Sequence, residues 1–253
     1  MLRLICVIVA VVVGISVGTS HVKAEPIDGG WIQLFDGKTL KGWTPKFRGE
    51  PVGENYLNTF RVEDGLLTVS YDQYETWNEK FGHLFYKEPA GRYRLRFEYR
   101  FLGDQVGGGP NWARRNNGIM IHGQEPAAMK LDQKFPNSLE VQLLGGLNEK
   151  SKRPTLNLCT PGTFVRLNDK DHKQHCTNSN SRTFNGDQWV TGEIIVDGDR
   201  SIQHLVDGEV VMEYSQPRLD DGTPLASGTI SIQAESAPIQ FRRIELKHLG
   251  ERE

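Results

Sequence analysis

Apolar and polar residues alternate along this chain with a period of two. The runs are Phe60 to Val69, Tyr93 to Leu102, Gly118 to His122, Leu139 to Leu144, Trp189 to Val196, Ser201 to Val206, Glu209 to Tyr214, Gly228 to Ala234 and Ile239 to Leu246. Such alternation describes strands with one covered face and one open face. Turn chemistry separates the runs at Glu63-Asp64-Gly65, Asp197-Gly198-Asp199, Val206-Asp207-Gly208-Glu209 and Asp220-Asp221-Gly222. Asp and Gly tolerate the positive φ that tight turns require. Long helical patterns are scarce, and no internal repeat or low-complexity block appears. Many short strands between such turns predict an all-β sandwich or barrel. Two stretches break the rhythm, Gly103 to Arg115 and Gly145 to Asn185. Connections of that length are functional or mobile.

Three of the strands share one design. Leu139, Val141 and Leu143 face one way, and Ser138, Glu140 and Gln142 the other. Ile230, Ile232 and Ala234 oppose Ser231, Gln233 and Glu235. Ile119 and Ile121 oppose Met120 and His122. If these strands neighbour one another, Glu140, Gln142, His122, Gln233 and Glu235 form one polar patch. A solvated sheet face is the bland explanation, since one wet face is normal for antiparallel sheets. Glu, Gln and His with few Lys or Thr are unusual for plain solvent dressing, and this favours a binding face.

The amino terminus changes the picture of location. Arg3, the apolar run Leu4 to Val17 and Val22-Lys23-Ala24 match an export signal cleaved after Ala24. The run is short for a membrane span; an uncleaved anchor is the alternative. Cleavage leaves residues 25–253 as a single domain with 28 Lys and Arg against 32 Asp and Glu, a formal charge of −4. That balance argues against nucleic acid as the main partner, and no other run is long enough to cross a membrane. Cys159 and Cys176 both lie in loop-like sequence. In an oxidising compartment the pair is most simply a disulfide. The alternative is a metal site with His172 and His175, but two-Cys zinc sites normally show tighter spacing.

Residues 30 to 43 carry the most specific signal. Leu34-Phe35-Asp36-Gly37-Lys38-Thr39-Leu40 and Gly42-Trp43 describe a short strand from Trp31 to Phe35, a turn, and a return to a large aromatic. This wording resembles the opening of the 3-keto-disaccharide hydrolase domain family. Asn116 to Gly123, Leu139 to Leu144, Gly228 to Glu235 and Ile239 to Leu246 are similar to the family's later motifs, in the family's order. The resemblance implies an all-β, two-sheet antiparallel jelly-roll sandwich of the concanavalin A-like lectin/glucanase type. It also implies a carbohydrate partner. The implied activity is cleavage of sugars oxidised at carbon 3, by hydrolysis or by elimination followed by hydration.

The residue types suit that chemistry. A ketone at carbon 3 acidifies the proton on carbon 2, and a carboxylate or imidazole base can remove it. Glu140 is the expected base, with His122 as partner acid or metal ligand. Gln142, Gln233 and Glu235 are expected to bind substrate with Asn117. A divalent cation held by His and carboxylate is an electrophile that the resemblance implies; no close ligand spacing in the sequence supports one. Retaining glucanases of this fold carry two carboxylates on one strand face. Here that strand offers Glu140, Gln142 and Leu144, so Glu235 would have to supply the second. Trp112 with Arg114 and Arg115 is a candidate sugar subsite, or else a loop anchor. Tyr71 to Trp77 is a candidate groove wall. His83 reads as a structural histidine, and His172 and His175 as surface residues. The non-enzymatic alternative is a lectin-like carbohydrate-binding module, which needs no base.

Overall fold

The computed structural model describes residues 26–27, 30–150 and 152–250. The expected export signal, residues 1–24, lies outside the described residues. Strands are numbered in chain order. One sheet has eleven strands: β1 (Pro26–Ile27), β2 (Trp31–Gln33), β4 (Phe60–Glu63), β5 (Leu66–Val69), β7 (Arg92–Phe101), β11 (Thr163–Leu167), β12 (Lys170–His172), β14 (Val190–Asp197), β15 (Ile202–Val206), β16 (Glu209–Leu219) and β18 (Ile239–His248). The other has seven: β3 (Trp43–Phe47), β6 (Gly82–Tyr86), β8 (Asn116–Gly123), β9 (Leu139–Leu144), β10 (Asn157–Cys159), β13 (Cys176–Thr177) and β17 (Thr229–Ala234). Every strand pairing is antiparallel. Among the described residues no helix is long and apolar enough to cross a membrane.

Side-chain alternation builds the core. Leu139, Val141, Leu143, Ile119, Ile121, Ile230 and Ile232 turn inward from the seven-stranded sheet. They join Leu95, Phe97, Tyr99, Ile194 and Phe241 of the other in one buried cluster. Removing that apolar surface from water is the main driving force for closing the sandwich. Asp36 fastens the opening motif locally: its carboxylate accepts from the Lys38 and Thr39 amides at 2.8 and 2.7 Å. Trp43 Nε1 then donates to the Leu34 carbonyl at 2.7 Å, clipping β3 onto the chain before it.

The predicted strands match with small shifts at their ends. The run 60–69 divides into β4 and β5 at Asp64-Gly65, both at positive φ, and β16 extends to Leu219. Besides the two-residue β1 and the strands β10 to β13 within the irregular stretch 145–185, two strands escaped the periodic reading. β6 is buried at all five positions and so shows no alternation. β3 carries Pro45, which disfavours a strand; it is the edge of its sheet, where a missing amide donor is tolerated. Within the irregular stretch 145–185, β10 and β13 are joined by the Cys159–Cys176 disulfide. The bridge takes both thiols out of any metal set, and His172 Nε2 instead lies 2.6 Å from Thr177 Oγ1.

Candidate active site

The seven-stranded sheet runs β13-β10-β9-β8-β17-β6-β3. Cross-strand pairing writes two rows of side chains on its outer face. One runs Cys176, Cys159, Glu140, Met120, Ser231, Phe85 and Thr44. The next pairs Asn157 with Gln142, Gln142 with Gly118, Gln233 with His83, and His83 with Lys46. Glu140, Gln142, Gln233 and Glu235 therefore share one face, as their alternation predicts. The face is not wet. Glu140 is 6% exposed, Glu235 3% and Gln233 fully buried.

A cavity of about 390 Å³ opens over this face. Glu140, Gln142, Glu235 and Asn116 supply its polar floor. Trp112, Phe135, Leu144, Pro161 and the Cys159–Cys176 bridge wall it, and Arg153 and His175 stand at its margin. Gly118 makes room for the key carboxylate. A Cβ there would sit 2.6 Å from Glu140 Oε1 and 2.7 Å from its Cγ. The Glu140 side chain thus lies across β8, leaning toward β17 and Glu235.

Burial governs the electrostatics. It pushes the Glu140 pKa up to about 8. Glu235 is raised as well, by burial first and then by the neighbouring Glu140 charge. Two carboxyls in one poorly solvated site resist ionising together, so at least one retains a proton at neutral pH. Glu235 Oε2 and Asn116 Oδ1 are buried with no hydrogen-bond partner among the described residues. Ser236, beside Glu235, has φ of +83°. Its amide donates to Tyr71 Oη at 2.8 Å, and its carbonyl accepts from the Val106 amide at 3.0 Å. These two contacts hold the left-handed residue next to Glu235 in place. Arg153 is half-buried. Its pKa is lowered by desolvation and by the Arg114 and Arg115 charges, and it donates to the Arg114 and Gly145 carbonyls.

Four expected site residues, His122, Asn117, Gln233 and Arg114, are not brought to this cavity, nor is Arg115; Gln233 shares the sheet face but is fully buried beside it. His122 lies on a bulge, with φ of +48° and a register slip between Thr229 and Ser231. A bulge re-aims a side chain. The imidazole Nε2 donates to the Gly198 carbonyl at 2.9 Å, in the turn between β14 and β15 of the opposite sheet, and burial lowers its pKa. Asn117 is fully buried on the inward face, where its Nδ2 donates to the Gln233 carbonyl at 2.7 Å; Asn116 reaches the cavity instead. Trp112, 54% exposed, lines the cavity, but Arg114 and Arg115 line a smaller hollow beside it.

Tyr71 and Trp77 are buried in an aromatic cluster behind the site and do not line it. Contacts run from Trp77 to Phe81 and from Phe81 to Phe135. Arg153 was missed because it lies in the irregular stretch, where no periodicity assigns a face; His175, read as a surface residue, is exposed and also lines the cavity. A metal does not fit the groups present. Among the described residues no three His, Cys, Asp or Glu side chains converge to hold one.

Known proteins place this architecture. Residues 30–247 match the model of the 3-keto-alpha-glucoside-1,2-lyase-like domain. No curated protein matches the chain in sequence. A Parabacteroides distasonis protein with a provisional glycosyl hydrolase designation shares 16% identity, over 87% of this chain and 94% of that one, with a TM-score of 0.53. A Bacillus subtilis protein of unknown function with a galectin-like fold shares 12% identity, over 84% and 92%, also at 0.53. The Bacillus licheniformis β-glucanase shares 10% identity, over 89% and 100%, at 0.50. At these identities the structures show a common fold, the two-sheet jelly roll of lectins and glucanases. The match over residues 30–247 goes further: the chain belongs to the 3-keto-alpha-glucoside-1,2-lyase-like domain family.

Proposed function

We propose that this protein cleaves 3-keto-glycosides by elimination across carbons 1 and 2. The observation that carries the reading is the pair of buried carboxyls, Glu140 and Glu235, on the floor of one cavity. Elimination needs a base and an acid in the same enclosed space. Glu140 in its ionised form takes the carbon 2 proton. The C–H electron pair forms the enolate, whose collapse restores the ketone, makes the carbon 1–carbon 2 double bond and breaks the bond to the leaving oxygen. Glu235, still protonated, gives that oxygen its proton. Water then adds to the unsaturated ketone. Gln142, Asn116 and Arg153 are placed to hold hydroxyls, and Trp112 offers a face for the pyranose ring to stack on.

The acid role falls to Glu235 because His122 turns away from the cavity. Paired carboxyls also equip ordinary glycosidases, and this second reading predicts hydrolysis of unoxidised glycosides with the carbon 2 hydrogen untouched. A lectin-like module would bind sugar with no turnover. The export pattern at residues 1–24 and the disulfide together support action outside the cytoplasm.

The test is turnover of methyl 3-keto-α-glucoside and methyl α-glucoside by the wild type, Glu140→Gln and Glu235→Gln. The account expects turnover of the keto sugar alone, falling roughly 10²–10⁴-fold in each variant. Equal turnover in Glu140→Gln removes that residue as base. Cleavage of the unoxidised glycoside selects the glycosidase reading.

A further inference from the structure

Part of the polar outer face lies outside the open cavity. His83 and Gln233 pair across β6 and β17, and Ser231 follows Gln233 on the same face. All three are at most 1% exposed. His83 Nε2, both side-chain polar atoms of Gln233 and Ser231 Oγ have no hydrogen-bond partner among the described residues. Buried polar groups are nearly always paired, and orphans gathered at one place ask for a partner from outside the chain.

Phe135 touches both His83 and the cavity. Its ring meets the His83 ring at 6.1 Å and the Phe81 ring at 4.8 Å between centroids. On one side Phe135 lines the cavity of Glu140 and Glu235. On another it lines a second hollow of about 610 Å³, bounded by Gln124, Lys130 and Gly162. A ring with open space on two sides has room to swing.

We propose that His83, Gln233 and Ser231 form a concealed carbonyl subsite, uncovered when Phe135 moves aside, in which His83 donates from Nε2 to the carbon 3 oxygen of the sugar. The inference rests on the keto-sugar reading above and adds the group that distinguishes a ketone from an alcohol. His83 is suited to the task. Burial first, and then the charge of Lys46 opposite it, lower its pKa to about 3. It is a neutral donor at physiological pH, matched to a carbonyl and to the enolate oxygen that develops there. Lys46 stays out of the subsite, donating to the Phe47 and Leu131 carbonyls.

The distances allow one ring to touch both ends. Glu140 on β9 and His83 on β6 are three strands apart, roughly 14 Å across the sheet at about 4.8 Å per strand, and one row apart along the strands, about 7 Å, which makes roughly 16 Å at the backbone. Glu140 leans inward across Gly118, and both side chains consume part of that span. A pyranose placed between them presents its carbon 2 proton to Glu140 and its carbon 3 oxygen to His83. When Glu140 takes the proton, the electron pair moves onto that oxygen. His83 stabilises it by hydrogen bond alone, with no proton transferred.

The test is calorimetric binding of methyl 3-keto-α-glucoside and methyl α-glucoside to the Glu140→Gln protein, alone and combined with His83→Phe or His83→Gln. The proposal expects His83→Phe to weaken keto-sugar binding by about tenfold and glucoside binding by less than twofold. His83→Gln keeps an N–H donor and is expected to recover most of the loss. Unchanged keto-sugar affinity in His83→Phe, or equal loss for both sugars, overturns the subsite. Should His83→Phe fail to fold, Gln233→Met removes two of the orphaned atoms at similar volume and carries the same expectation. A wild type that neither binds nor turns over the keto sugar overturns the functional reading and this inference with it. Normal turnover with an unaltered keto preference in His83→Phe overturns the subsite alone.

Discussion

Glu140 combines two properties that ordinarily conflict, burial and the need to ionise. Desolvation penalises its charged form and raises its pKa to about 8. A proton held that strongly also makes the ionised form a strong base. Activity should therefore rise as pH passes about 8, and fall at higher pH once Glu235 loses the proton it must donate. A pH–rate profile of kcat checks this, and activity that declines from pH 6 to 8 would contradict it. The same shift has a cost in stability. In the unfolded chain Glu140 loses its proton near its ordinary value of 4.5, whereas the folded protein keeps it to about 8. Between those values the folded state binds more protons, so stability falls as pH rises through that window. Glu140→Gln cannot ionise, and its stability relative to the wild type should increase from pH 5 to pH 8, by roughly 3–4 kcal/mol. Thermal unfolding at the two pH values measures it. A variant less stable than the wild type at pH 8 would mean that the ionised carboxylate is well solvated in the fold. The alternation around Glu140 was legible in the sequence; its burial was not, because the cover comes from irregular segments outside the strand, such as those carrying Phe135 and Trp112.

At the scale of elements, β8 decides which side chains meet. Gly118 leaves the gap that Glu140 occupies, and the bulge at His122 sends the imidazole toward the other sheet. Alternation predicts His122 on the polar face because a period of two assumes an unbroken ladder. One extra residue in β8 breaks that assumption, and no turn residue announces it. Asn117 fails on parity alone: it alternates with the inward Ile119 and Ile121, whereas its neighbour Asn116 has the parity of Gly118 and Met120 and reaches the cavity. Gly118→Ala should expel the Glu140 carboxylate while leaving the strand intact. Misplacing a reacting group by about 1 Å costs on the order of 10²-fold in rate, and a kcat loss of that size with near-wild-type thermal stability is expected. Unchanged kcat in Gly118→Ala would show that Glu140 works from another position.

For the molecule as a whole, the jelly roll supplies a rigid floor and the long excursions supply the walls. The floor was readable because its strands alternate and its turns carry Asp and Gly. The walls were not, since stretches 103–115 and 145–185 have no period from which to infer a face. The Cys159–Cys176 bridge was legible from the cysteine count and the export pattern expected of residues 1–24, and it pins β13 beside β10 at the cavity wall. Closing so short a loop contributes about 3 kcal/mol. The Cys159→Ser, Cys176→Ser double variant should melt about 10 °C lower, by the usual scaling for a domain of this size. Because the bridge walls the cavity, KM should also rise more than kcat falls; a drop in melting temperature with KM unchanged would make the bridge a stability device only. The central claim is that the Glu140–Glu235 pair removes a proton from carbon 2 of a keto sugar. It is tested most directly by incubating the wild-type protein with methyl 3-keto-α-glucoside deuterated at carbon 2 and following methanol release and the isotope at that carbon. The account predicts loss of deuterium to solvent with slower release than from the undeuterated sugar where proton removal limits the rate. Release of methanol with the deuterium fully retained in the product would contradict it.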